Sequence, residues 1–175
     1  MRCFIVIVVV AFAMVAHGDV IWDERIHGDL SNDQTAPTDI ALVSAADHVI
    51  GTVGGANPGE FFDCMRFDVP SGILVIHTVL TDYIAAGGNT TSGYNLYAGT
   101  PVDPLAFGDL CSAAVGPANV GQDVLSVACG LGPLTAGTYT LCWRESTPGQ
   151  AYVLTYVSDE PLFYSGFETG TTIEW

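Results

Sequence analysis

The chain has 175 residues, a formal net charge of -15 and no lysine. With 19 acidic side chains against 4 basic ones, it repels polyanions, so nucleic acid and anionic lipid headgroups are excluded as partners. Apolar residues make up 49% of the chain, enough for one ordinary hydrophobic core without metals or dense crosslinking.

The chain opens with Arg2, then a continuous apolar run from Cys3 to Val15, then Ala16-His17-Gly18. A short positive region, an apolar stretch and small residues at the cleavage positions read as a secretory signal. A transmembrane helix needs about 20 apolar residues, and this run is shorter. Cleavage is expected to leave a mature chain beginning near Asp19, with no membrane span, secreted to the periplasm or the exterior. The expected organisation is a signal peptide over 1–18, one β domain over 19–158 and a tail over 159–175.

Val20 to Glu24 passes from apolar to acidic and reads as an edge strand. Gly28 to Pro37 is polar and turn-like. Thr38 to Val43 and His48 to Val53 are short β-rich runs, and Gly54 to Gly59 is a loop. Phe61 to Val69 alternates: Phe61, Asp63, Met65, Phe67 and Val69 share one face, and Phe62, Cys64, Arg66 and Asp68 the other. Pro70-Ser71-Gly72 is a turn. Ile73 to Leu80 is apolar on both faces, which predicts a central strand covered on both sides.

Gly93 to Ala98 is a further strand, followed by a long connection from Gly99 to Asp123. Val124 to Cys129 reads as a strand. Gly132 to Gly137 turns the chain into Thr138 to Glu145, where Tyr139, Leu141 and Trp143 face one way and Thr138, Thr140, Cys142 and Arg144 the other. Pro148-Gly149 then stands between this run and the alternating Gln150 to Val157, a hairpin signal. No helical periodicity follows the signal. Many short strands punctuated by turns predict an all-β fold, an antiparallel jelly-roll-like β-sandwich of about nine strands.

Four cysteines remain after signal removal: Cys64, Cys111, Cys129 and Cys142. An even number in an exported chain favours disulfides, and four cysteines allow three pairings. The favoured pattern joins Cys111 to Cys129 across a Gly/Pro/Asn-rich connection, and Cys64 to Cys142 between two strands.

Catalytic motifs are missing. No G-x-S-x-G, H-E-x-x-H or phosphate loop occurs, and His77 sits among Val75, Ile76 and Val79 as a structural histidine. The chain is therefore read as not an enzyme, with a small hydrolase using a carboxylate pair as the lesser alternative. Ca²⁺ is the expected ligand if any is bound. Asp29 to Asp33 opens with EF-hand-like spacing, but Gln34 stands where that loop needs Gly and Ile40 where it needs Glu. Asp29 and Asp33 are the candidate ligands, in an irregular loop. Tyr83, Tyr94, Tyr97 and Trp175 lie in or beside expected loops and are candidate platforms for a glycan or an extracellular protein.

The order of segments resembles the bacterial pre-peptidase C-terminal domain. The resemblance rests on His48 to Val53, Asp63-Cys64-Met65-Arg66-Phe67, Gly72 to Leu80, Leu96-Tyr97, Leu134 to Leu141 and Tyr152-Val153-Leu154, and covers roughly residues 38–157. The four cysteines and the Gly99–Asp123 connection depart from the family pattern. The resemblance implies a jelly-roll-like, non-catalytic accessory of secreted hydrolases, concerned with secretion, substrate attachment or stability. The tail from Phe163 to Trp175 is similar to a Gly-Phe-Glu-x-Gly-x-Thr-x-x-Trp ending of exported bacterial proteins. The expected function is a secreted binding or accessory module, with a carbohydrate-binding protein using loop aromatics as the alternative.

Overall fold

The computed structural model describes residues 18–53, 61–85, 91–103, 107–145 and 149–159. The signal, apart from Gly18, and the tail beyond Asp159, including Trp175, lie outside the described residues. Among the described residues nine strands occur in order: β1 (Asp19–Asp23), β2 (Thr38–Asp39), β3 (Ala46–Val53), β4 (Phe62–Val69), β5 (Val75–Ile84), β6 (Ser92–Ala98), β7 (Cys111–Val115), β8 (Gly137–Arg144) and β9 (Gln150–Ser158). They form a four-stranded sheet ordered β1-β3-β9-β5 and a five-stranded sheet ordered β2-β4-β8-β6-β7. The fold is the expected all-β sandwich.

Most pairings are antiparallel, but β1 runs parallel to β3 and β2 parallel to β4. Alternation places the core. Met65, Phe67 and Val69 from β4 and Leu141 and Trp143 from β8 are all buried between the sheets. Trp143 is the centre of this layer. Tyr152 stacks on it with ring centroids 4.5 Å apart, Tyr94 meets it edge-on at 6.3 Å, and Tyr83 lies at 6.2 Å. Such offset and edge-on pairs contribute beyond the apolar area they bury.

Three expectations about the elements are corrected. The Pro-Gly turn does not join a hairpin, because β8 and β9 lie in different sheets. The run after Pro70-Ser71-Gly72 is not central: β5 is the last strand of the four-stranded sheet. Its outer edge is closed by a loop instead, through Leu80 N–H to Gln122 O at 3.3 Å and Gly121 N–H to Leu80 O at 2.8 Å. The Gly99–Asp123 connection supplies that loop, and it also contains β7 and a 3-10 turn at Pro117–Asn119.

The third correction concerns Val124 to Cys129, which opens as a helical turn, α2 (Val124–Val127). Asp123 decides it. Its Oδ1 accepts from Leu125 N–H at 3.2 Å as an N-cap and from Thr78 N–H at 3.0 Å, while Oδ2 lies 3.1 Å from His77 Nδ1. A cap that also ties the helix to β5 outweighs the β preference of a short Val/Leu run. His77 is thus a hydrogen-bonded structural histidine. Asp123→Ala is expected to lower stability by about 1–2 kcal/mol, measured as the shift in urea midpoint. An unshifted midpoint would show that the cap is idle. A second short helix, α1 (Glu24–His27), follows β1 directly.

Both disulfides match the favoured pattern. Cys64 and Cys142 are register partners on neighbouring strands β4 and β8, with a Cα–Cα distance of 4.1 Å. Cys111 and Cys129 tie β7 to the segment after α2.

Candidate functional site

The strongest convergence of ionisable groups lies where α1 meets β4. It is assembled by local capping. Asp23 ends β1 and caps α1, with Oδ1 accepting from Arg25 N–H at 3.0 Å and both oxygens held by the Arg25 guanidinium. Gly28, at φ +88°, closes the helix in a conformation that costs glycine little. The chain then runs beside β4, where Ser31 O accepts from Cys64 N–H at 2.8 Å. This path brings Asp29 towards Asp63, the inward-facing carboxylate of β4.

Glu24, Asp29 and Asp63 each place a carboxylate oxygen within 4.8 Å of the others. Glu24 bridges the surrounding elements: Oε1 accepts from Leu30 N–H at 3.1 Å and Oε2 from Thr52 N–H at 2.6 Å. Asp63 is fully buried, and its Oδ2 accepts from the Tyr152 hydroxyl at 2.9 Å. Gly51 makes room for that contact, since a Cβ there would lie 2.3 Å from the Tyr152 hydroxyl oxygen.

The electrostatics follow from this crowding. Burial raises the Glu24 carboxyl to about 7, against the bonds from Leu30 and Thr52 that favour its charge, and Asp29 pushes it further up. Burial also raises the Tyr152 phenol well above its ordinary value, with the Asp63 charge adding to it. The arginines are engaged elsewhere. Arg25 is held by Asp23, Arg66 pairs with Asp39, and Arg144 lies over the Phe62 ring. Three carboxylates this close cannot all ionise cheaply. They are relieved by a proton, which the raised Glu24 carboxyl retains, or by a cation. Oxygens within 4.8 Å of one another are close enough to share one Ca²⁺, whose Ca–O distance is about 2.4 Å.

Of the two aspartates singled out in the sequence, Asp29 belongs to this cluster and Asp33 does not. Asp33 Oδ1 accepts from Thr35 N–H at 2.8 Å and Thr35 Oγ1 at 2.7 Å, a local turn. Glu24 and Asp63 were missed. Asp63 carried a usable signal, a carboxylate on the same strand face as Met65 and Phe67, where a buried charge needs a partner.

The candidate aromatic platforms are corrected as well. Tyr83, Tyr94 and Tyr97 are 7%, 1% and 1% exposed, so none offers a ring face to a ligand. Tyr83 and Tyr94 belong to strands β5 and β6 and pack around Trp143. Tyr97 points to the opposite face, packs on the Cys64–Cys142 bridge and donates to Gln34 Oε1 at 3.2 Å. Gln34, where an EF-hand would need Gly, is thereby a buried side chain that also donates from Nε2 to Asp103 O at 2.6 Å. Trp175 lies outside the described residues.

No protein-family model matches the chain, and neither a curated protein nor a solved structure matches it. No helix of the described residues is long and apolar enough to cross a membrane.

Proposed function

We propose that this chain is a secreted, non-catalytic β-sandwich that serves as a binding or accessory module, with Ca²⁺ as a structural ligand of the Glu24–Asp29–Asp63 cluster. The two intrachain disulfides carry the reading. Such crosslinks form and persist in oxidising compartments, which agrees with the signal-like start. Accessory domains of secreted hydrolases, which the order of sequence segments resembles, are used in the same setting. The carboxylates support binding over catalysis. Both Glu24 oxygens accept backbone N–H groups, and Asp63 is buried beneath Tyr152, so these two side chains brace the fold.

Expression in a bacterium, with and without residues 1–18, tests the reading. The chain with its leader is expected outside the cytosol and without titratable thiols after denaturation. Retention in the cytosol with free thiols would overturn export. Turnover of ester, glycoside or peptide substrates that disappears in Glu24→Gln would overturn the non-catalytic assignment and restore the carboxylate hydrolase.

A further inference from the structure

We propose that a polar cleft on the outer face of the five-stranded sheet binds a neutral polyhydroxylated ligand, one sugar unit of a glycan. The inference rests on the binding-module reading and names its ligand class. It uses neither the carboxylate cluster nor the tyrosines.

The cleft encloses about 510 Å³, and its polar lining is Asp39, Arg66, Asp68, Gly99, Thr100 and Thr138. That volume lies in the range of small-molecule sites, roughly 300–1,000 Å³. Register builds it. Asp39 on β2 is opposite Arg66 on β4, and Asp68 on β4 is opposite Thr138 on β8. The turn after β6 closes one side, held by Gly99 N–H to Thr138 O at 2.8 Å and Thr140 Oγ1 to Gly99 O at 2.8 Å.

The lining side chains are hydrogen-bonded to one another before any ligand arrives. Arg66 donates from Nε and Nη2 to the two oxygens of Asp39, at 2.6 and 2.8 Å, and from Nη1 to Thr100 Oγ1 at 3.2 Å. Thr138 Oγ1 donates to Asp68 Oδ1 at 2.6 Å. Groups fixed in this way lose little freedom on binding.

Their unused capacity decides the ligand. A guanidinium has five N–H groups, a carboxylate about four lone-pair sites, and a threonine hydroxyl both donates and accepts. Arg66 therefore has N–H groups left to donate, Asp39 and Asp68 have lone pairs left to accept, and Thr100 can donate while it accepts from Arg66. Donors and acceptors both line the cleft, which suits vicinal hydroxyls, since each of these also donates and accepts. The charges argue the same way. One guanidinium among two carboxylates repels an anion through the excess negative charge, and Arg66 occupies the position a metal cation would take. A neutral, hydroxyl-rich molecule meets neither penalty.

No ring face adds to the affinity. Phe67 is only 1% exposed and packs inward on Tyr139 and Tyr156. A site using hydrogen bonds alone, each of modest net worth, binds with Kd in about the millimolar range.

The test is an amide-resolved NMR titration of the oxidised protein with glucose, galactose, mannose and N-acetylglucosamine, with inorganic phosphate and Ca²⁺ as separate arms. At least one sugar is expected to give saturable shifts at Arg66, Gly99, Thr100 and Thr138. Thr138→Val and Asp68→Asn, both at exposed positions, are each expected to weaken that binding about tenfold. The inference is overturned if no sugar shifts these amides at about 100 mM, if phosphate or Ca²⁺ alone does so, or if both variants bind the sugar unchanged. Failure here leaves the secreted-module reading standing. Turnover dependent on Glu24 would overturn that reading and leave this cleft untouched.

Discussion

Replacing Cys64 and Cys142 together by alanine is expected to lower the stability of the folded chain by about 4 kcal/mol. The bridge joins residues 78 apart in sequence, and closing so long a loop removes much of the freedom of the unfolded chain. The same double replacement at Cys111 and Cys129, 18 residues apart, is expected to cost about 3 kcal/mol. Urea unfolding of the two variants beside the parent gives both values. Equal midpoints for all three proteins would mean that the bridges do not restrain the unfolded chain. Burial orders the reduction of the bridges too. Cys64 and Cys142 are fully buried, whereas Cys129 is partly exposed. Limited dithiothreitol followed by alkylation and mass spectrometry is therefore expected to open Cys111–Cys129 first.

Stability is also expected to fall as pH rises from about 5 to about 8, through the ionisation of Glu24. The sign follows from linkage. The Glu24 carboxyl lies at about 7 in the folded chain, above its ordinary 4.5, because burial disfavours its charge. The folded state therefore holds this proton more tightly than the unfolded state does. The stabilisation is fully present below the unfolded value, about 4.5, and is lost as pH climbs through about 7. Because Glu24 is partly exposed, solvent screening reduces the effect to about 2 kcal/mol. Glu24→Gln, which cannot ionise, is expected to flatten this part of the profile. At pH about 8, millimolar Ca²⁺ is expected to restore the melting temperature of the parent and chelation to reverse it, as ligand linkage requires. Parallel pH profiles for parent and Glu24→Gln would remove Glu24 as the titrating group. A melting curve unmoved by Ca²⁺ and by EDTA would remove the metal.

The strands with one buried face were legible in the sequence. In β4 and β8, alternation alone placed Met65, Phe67, Leu141 and Trp143 inside and assigned both Cys64 and Cys142 to the outer face. Partner choice was not legible. The Pro-Gly signal between β8 and β9 is local, and nothing within that segment states that its two strands belong to different sheets. α2 was read as a strand because a four-residue helix is too short to show a period of 3.6. What forms it is the placement of Asp123 against Thr78 and His77, a contact made by the folded chain. The carboxylate cluster failed to emerge for the same reason. Glu24 and Asp29 are near in sequence, but Asp63 joins them only when the segment after α1 lies along β4. The tyrosines misled because aromatics near turns resemble displayed rings, whereas Trp143 drew two of them inward.

The strand order has a kinetic consequence. β9, the last strand, lies between β3 and β5 in the four-stranded sheet. A chain leaving the ribosome or a membrane channel from its N-terminus therefore cannot complete that sheet until residues 150–158 have emerged. Its pairings span long sequence separations, which favours slow folding. The four-stranded sheet is therefore expected to close only once the last strand is available, whichever strands have formed before it.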